Sequence, residues 1–185
     1  MSPWALNRFA HAVSHGAVFG YPTDTIWGFG CHPLIESSVA RILRIKRRSP
    51  DKGLILLSSK VDYCMNYVGL DSEQLEPVQR ATDHPTTWLV PASEECPSWI
   101  RGAYPTVAIR ITNHPLLEFL CARLRAPIVS TSANRSGKSC VRNSVQMRKQ
   151  FGNELDFIVS GFDTGGNRPS EIKSLLDRTT IRNSA

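Results

Sequence analysis

A chain of 185 residues, 41% of them hydrophobic and 21% charged, suits one domain whose core is large enough to fold without staples. No stretch approaches the ~18 apolar residues of a membrane span, and no membrane association is expected. Five cysteines, odd in number and never spaced as a C-x-x-C pair, argue against a disulfide frame or zinc site and read as reduced thiols of a cytosolic protein.

Ser2 as N-cap with Pro3 at the first helical position predicts a helix that carries Phe9 and Val13 and stops near Gly16. His11 and His15 stand four apart on it without a third ligand or acidic partner, so no histidine-held metal is expected. A strand follows at 17–21, then a turn at Pro22 and a helix ending near Lys46. Ile35, Val39, Ile42 and Leu43 recur along that helix as a buried stripe. Lys46 continues the stripe, so a cation points where an apolar side chain belongs, with Arg41, Arg44 and Arg48 on the outer face. Pro50 pushes Ser49 out of the helical region and ends the helix. Residues 54–58 read as a buried strand, and Asp71 with Gln74 as a capping box for a helix through Ala81. Residues 87–90 and 106–111 read as strands. Asn113 caps a helix through Arg123, 127–131 is a strand, 144–151 is a helix closed by Gly152, and 156–159 is a short strand. The expected fold is α/β in a single domain, and tight connections such as the one before Thr106 favour a mixed sheet.

Three segments look chemical. Residues 41–60 hold seven of the 22 lysines and arginines (Arg41, Arg44, Lys46, Arg47, Arg48, Lys52, Lys60) against one acid, Asp51. That local surplus of six equals the formal net charge of the whole chain, +6, so the basicity reads as one concentrated site for an anion. The plainer alternative is cations on a helix C-terminus. Ser130 to Gly137 places four hydroxyls, an amide and a glycine at the end of an apolar strand, where open α/β sheets bind ligands; an ordinary Ser/Asn/Gly turn is the alternative. Tyr21 to Gly30 mixes hydroxyls with aromatics and glycines. Familiar signatures fail: Gly137-Lys138-Ser139 lacks the glycine five residues earlier that a Walker A loop needs, and no G-x-S-x-G elbow occurs.

Five motifs in register resemble the YrdC/TsaC family, the threonylcarbamoyl-AMP synthases, from about Ala12 onward. They are Tyr21-Pro22-Thr23-Asp24-Thr25-x-Trp27-Gly28; Lys46-x-Arg48 followed by Lys52-Gly53-Leu54-Ile55-Leu56; Val107-Ala108-x-Arg110; Ser130-x-Ser132-Ala133-Asn134-x-Ser136-Gly137; and Pro169-Ser170-Glu171-Ile172. The length matches the family's short bacterial form. The resemblance implies a YrdC-like fold, a twisted mixed sheet with flanking helices around a cationic central hollow. It also implies a cytoplasmic nucleotidyltransferase that joins L-threonine, bicarbonate and ATP into threonylcarbamoyl-adenylate and releases pyrophosphate. Partner proteins then move the threonylcarbamoyl group onto tRNA.

By the same resemblance Lys46 and Arg48 grip phosphates as the catalytic pair, and Lys52 assists. Ser132, Asn134 and Ser170 contact the nucleotide, with Thr87 and Arg182 beside it. Thr23, Arg110 and Ser130 meet the threonine, and Mg2+ enters with ATP. One departure stands out: the family's Trp-Pro-Gly-Pro before the threonine matched to Thr87 is replaced by Asp83-His84-Pro85-Thr86 in a shortened segment. A competing reading is an RNA-binding module using the basic patch, with direct RNA contact; the lack of aromatics in residues 41–60 weakens it. Carbamoyl transfer, as in hydrogenase maturation, is a third; the chain shows no acylphosphatase-like or zinc-finger segment for it.

Overall fold

The first helix, α1 (Pro3–Ser14), begins as the cap chemistry predicts: the Ala5 N–H donates to Ser2 Oγ over 3.3 Å, and Pro3 takes a position where no amide is needed. The computed structural model describes residues 2–80, 84–160 and 168–183. Strand β1 (Phe19–Pro22) turns directly into β2 (Trp27–Cys31), with Tyr21 opposite Gly28. The sequence reading has no β2. All five of its residues are buried and two are glycine, so it shows neither an alternation of apolar with polar residues nor a β-branched bias.

Helix α2 (Glu36–Lys46) ends before Pro50 can act on it. Arg47 enters the left-handed region at φ 52°, and the N–H groups of Arg47 and Arg48 donate back to the carbonyls of Arg44 and Leu43, both over 3.0 Å. Arg48 is therefore off the helix and not on its outer face. Pro50 instead opens a 3-10 turn, Pro50–Lys52, which leads to β3 (Ile55–Ser58) and a second 3-10 segment, Val61–Tyr67. The Asp71 and Gln74 capping box forms, each side chain accepting the other's amide at 2.8 and 3.1 Å, but the regular helix after it, α3 (Glu76–Gln79), is only four residues. Ala81, its expected end, lies outside the described residues, as does Asp83.

The chain continues through β4 (Thr86–Pro91), α4 (Ser98–Arg101), β5 (Thr106–Ile111), α5 (Pro115–Leu124), β6 (Ile128–Ser132), α6 (Ser144–Phe151) and β7 (Phe157–Ile158). Pro115 takes N1 of α5, so its cap is His114 and not Asn113. Gly152 follows α6 in the right-handed region, and the side-chain cap lies at the other end, where Asn143 accepts the Gln146 N–H over 2.9 Å. β8 (Glu171–Ser174) and β9 (Thr180–Arg182) carry no pattern that the strand reading uses.

One nine-stranded sheet results, ordered β7-β1-β2-β6-β3-β5-β4-β8-β9. It is mixed: β7/β1, β3/β5 and β4/β8 pair parallel and the other neighbours antiparallel. One face, carrying Phe29, Leu56, Val129 and Ile109, packs against α2 and α6. The opposite face packs Phe19, Tyr21, Leu57 and Ile128 against α1 and α5. Those two helices leave part of it open. Since residues alternate across a strand, Thr106, Ala108 and Arg110 of β5 share this face with Ile55, Ser130, Ser132 and Leu89, and these residues floor a hollow.

Candidate active site

The hollow measures about 830 Å³, within the range of small-molecule sites and ample for a nucleotide beside an amino acid. Its first rim is the 47–53 turn. The reversal at Arg47 aims Arg48 inward, where Nη2 donates to the carbonyls of Lys52 (3.1 Å) and Gly53 (3.0 Å) while the buried Nε makes no hydrogen bond. This turn is clamped to α4: the Leu54 N–H donates to Ile100 O over 2.8 Å and the Ala103 N–H to Asp51 O over 3.1 Å. Arg101 and Tyr104 thereby join Lys52 at the mouth.

The second wall is the bend after β6. Lys46 is 2% exposed, and its ammonium is buried among four oxygens. It donates to the carbonyl of Ser132, to Asn134 O (3.1 Å) and to Asn134 Oδ1 (3.0 Å), with Ser132 Oγ at 3.3 Å. Ser132 Oγ donates to Asn134 Oδ1 over 2.6 Å, and the Ser136 N–H returns to Lys46 O over 2.7 Å. Burial, then the nearby Arg48 charge, lower the Lys46 pKa to about 8, against a small opposing effect of Cys140. The four oxygens favour the charged form.

Opposite lies Arg110, 5% exposed. Its Nη2 meets Asp24 at 2.9 Å, its Nη1 donates to Thr25 Oγ1 over 3.1 Å, and its buried Nε makes no hydrogen bond. Thr23 closes on itself, donating to Ile26 O (2.7 Å) and accepting from the amides of Thr25 (3.1 Å) and Ile26 (3.2 Å). Its hydroxyl proton is spent within the turn. The last wall comes from the C-terminal strands, where Arg182 Nη2 donates to Ser170 O over 2.7 Å and Ser170 Oγ lies 2.8 Å from Thr87 Oγ1. Burial, then Arg110 and Arg48, lower the Arg182 pKa. These three guanidinium groups therefore share one electrostatic space. Among the described residues, no carboxylate comes within ion-pair distance of Arg48, Lys52, Arg101 or Arg182.

Of the residues expected at the site, Thr23, Arg48, Lys52, Arg110, Ser130, Ser132, Asn134, Ser170 and Arg182 line the hollow. Lys46 and Thr87 stand behind its wall. The idea that residues 41–60 supply the whole cationic surplus needs correction. Arg48 and Lys52 of that run reach the hollow, whereas Arg41 pairs with Asp156 at 2.6 Å and Arg44, Arg47 and Lys60 do not line it. Arg101, Arg110 and Arg182, distant in sequence, complete the set. Asp24 and Thr25 are site residues that the motif contained without a role, and nothing local to Arg101 or Tyr104 marks them.

A family model described as telomere recombination, covering Sua5, YciO and YrdC, matches residues 11–184. A threonylcarbamoyl-AMP synthase of Cellvibrio japonicus is 39% identical over 187 residues, 98% of this chain and 99% of its own. One of Vibrio cholerae is 36% identical over 180 residues, 96% of each. Among solved structures, P. abyssi Sua5 complexed with L-threonine matches with a TM-score of 0.87 at 27% identity, across 97% of this chain and 53% of that one. E. coli YciO shares the fold at a TM-score of 0.82 and 20% identity, over 98% and 92% of the two chains. With nearly its whole length matched, the chain belongs to the Sua5/YciO/YrdC family.

Proposed function

We propose that this chain is a threonylcarbamoyl-AMP synthase, a nucleotidyltransferase for the threonylcarbamoyladenosine modification of tRNA. The observation that carries the reading is the cluster of inward cations, of which Arg48, Lys52, Arg101 and Arg182 have no carboxylate partner among the described residues, set against a wall of hydroxyls and amides. Such a cluster is under mutual repulsion until an anion with several charges enters, and a triphosphate beside an amino-acid carboxylate fits that need.

The threonine amine takes up bicarbonate, losing water, to give a carbamate. A carbamate oxygen attacks the α-phosphorus of ATP, and pyrophosphate leaves. Charge develops on phosphoryl oxygens, so positioning and electrostatic stabilisation carry the rate. Arg48 and Lys52 hold the polyphosphate, Arg48 as a guanidinium that lines the hollow and Lys52 as a point charge. Ser132, Asn134, Ser170 and Arg182 line the nucleotide side. Lys46 acts from behind, holding the bend in shape. Arg110 and Ser130 receive the carboxylate, and Thr23 shapes that end, its proton already donated to Ile26 O.

Mg2+ enters as part of the ATP substrate, neutralising phosphate charge. Among the described residues no group of three His, Cys, Asp or Glu side chains converges to hold the ion independently. Nor, among them, is any helix long and apolar enough to cross a membrane. The product is a mixed anhydride that a transferase must consume, and a cytoplasmic site of action belongs to the same proposal.

Incubation with ATP, L-threonine and labelled bicarbonate is expected to yield pyrophosphate and a labelled adenylate, both dependent on threonine. Pyrophosphate release indifferent to threonine would sink the assignment.

A further inference from the structure

Tyr21 is fully buried on β1, yet its hydroxyl crosses a neighbouring strand to reach a residue that lines the hollow. β2 lies between β1 and β6, and Tyr21 Oη donates to Ser130 Oγ on β6 over 2.9 Å. The path is open because β2 presents glycine at both positions beneath it. A methyl group on Gly30, the register partner of Ser130, would stand 3.1 Å from Tyr21 Cε1 and 2.6 Å from Phe19 Cζ. One on Gly28, the partner of Tyr21, would stand 3.5 Å from Ser130 Oγ. The alternation in Trp27-Gly28-Phe29-Gly30 thus serves a side-chain contact two strands wide, at the known cost of glycine in a strand.

A hydroxyl has one proton to give. Tyr21 donates its own to Ser130, and burial pushes the phenol well above its ordinary range, so it stays protonated at any working pH. Among the described residues Tyr21 is the partner of the Ser130 hydroxyl, and Ser130 lines the hollow. The Ser130 proton therefore faces the ligand. Two strands along, on the same face, Arg110 also lines the hollow. A committed hydroxyl donor and a guanidinium on one face of the hollow suit an anionic oxygen pair.

We propose that Tyr21 is a positioning residue for the amino-acid substrate: by donating across the glycine strand it commits Ser130 to donate into the hollow, toward the threonine carboxylate. This rests on the synthase reading above. Without the phenol, the serine hydroxyl is free to turn and part of the donor's directional advantage is lost.

The test is a double-mutant cycle on the full chain, with KM for threonine, KM for ATP and melting temperature measured for Tyr21→Phe, Ser130→Ala and the pair. Tyr21→Phe is expected to raise KM for threonine about fivefold and to leave KM for ATP within about twofold, with melting within a few degrees of wild type. In the Ser130→Ala background the Tyr21→Phe change is expected to have no further effect on KM for threonine. An unchanged KM in Tyr21→Phe overturns the inference alone, as does an effect that persists without the Ser130 hydroxyl. A wild-type chain that neither binds threonine nor makes adenylate from it overturns the synthase reading, and the inference with it.

Discussion

Lys46 and Arg48 lie two residues apart in one basic run and do different work. A left-handed residue between them sends Arg48 into the hollow, while Lys46 stays on the buried side of α2 and ties the Ser132 and Asn134 bend together. Helical spacing made the inward direction of Lys46 legible, because Ile42 and Leu43 define the stripe it extends. Its oxygen partners were not legible, since residues 132 and 134 become neighbours only through the sheet. The lowered Lys46 pKa gives a prediction with a definite sign. Between about 8 and the ordinary 10.5, the folded chain has released a proton that the unfolded chain keeps, so the contribution of this group to stability rises with pH across that window. Activity behaves oppositely, because a neutral amine has fewer protons to share among the oxygens of the bend. We expect KM for ATP to climb as pH passes about 8 while the melting temperature holds. A parallel loss of both would assign the alkaline decline to unfolding.

Elements with a strong local signal were readable: α1 from its Ser-Pro start, β5 over its full span, α6 over residues 144–151. β2 was not, because its residues answer to Tyr21 and Ser130 on adjacent strands and not to a propensity. β8 and β9 were not readable as strands either: both are short and unpatterned, and they gain their meaning only because β8 pairs with β4 and β9 with β8. The clamp between the Pro50–Lys52 turn and α4 is likewise invisible in sequence, yet two glycines make it possible. Gly53 and Gly102 hold φ values of 58° and 69°, and a methyl group on Gly102 would stand 2.6 Å from the Gly53 nitrogen. Gly102→Ala is therefore expected to destabilise the fold by roughly 2 kcal/mol or more and to weaken ATP binding by displacing Arg48 and Lys52. Chemical denaturation with parallel nucleotide titration checks this, and a wild-type midpoint would refute the clamp.

Over the whole molecule, the cationic hollow is a store of repulsion that an anion releases. A ligand present at about 100 times its dissociation constant stabilises the folded state by about 2.7 kcal/mol. For a chain of this size that corresponds to a rise in melting temperature of roughly 5–10 °C. Pyrophosphate, lacking both base and sugar, is expected to produce a substantial share of that rise, measured by calorimetry at fixed ionic strength. No response to pyrophosphate alongside a full response to adenosine would move the binding energy away from the cations.

The walls of the hollow are drawn from residues 23–28, 48–55, 100–110, 130–134 and 169–182, with Leu89 and Cys140, so no single one of these segments supplies even a quarter of it. Recognition is consequently a certificate of completed assembly. A partly formed copy, however well its helices are wound, is blind to nucleotide, and the small molecules of the cell rescue only those copies that have already arrived.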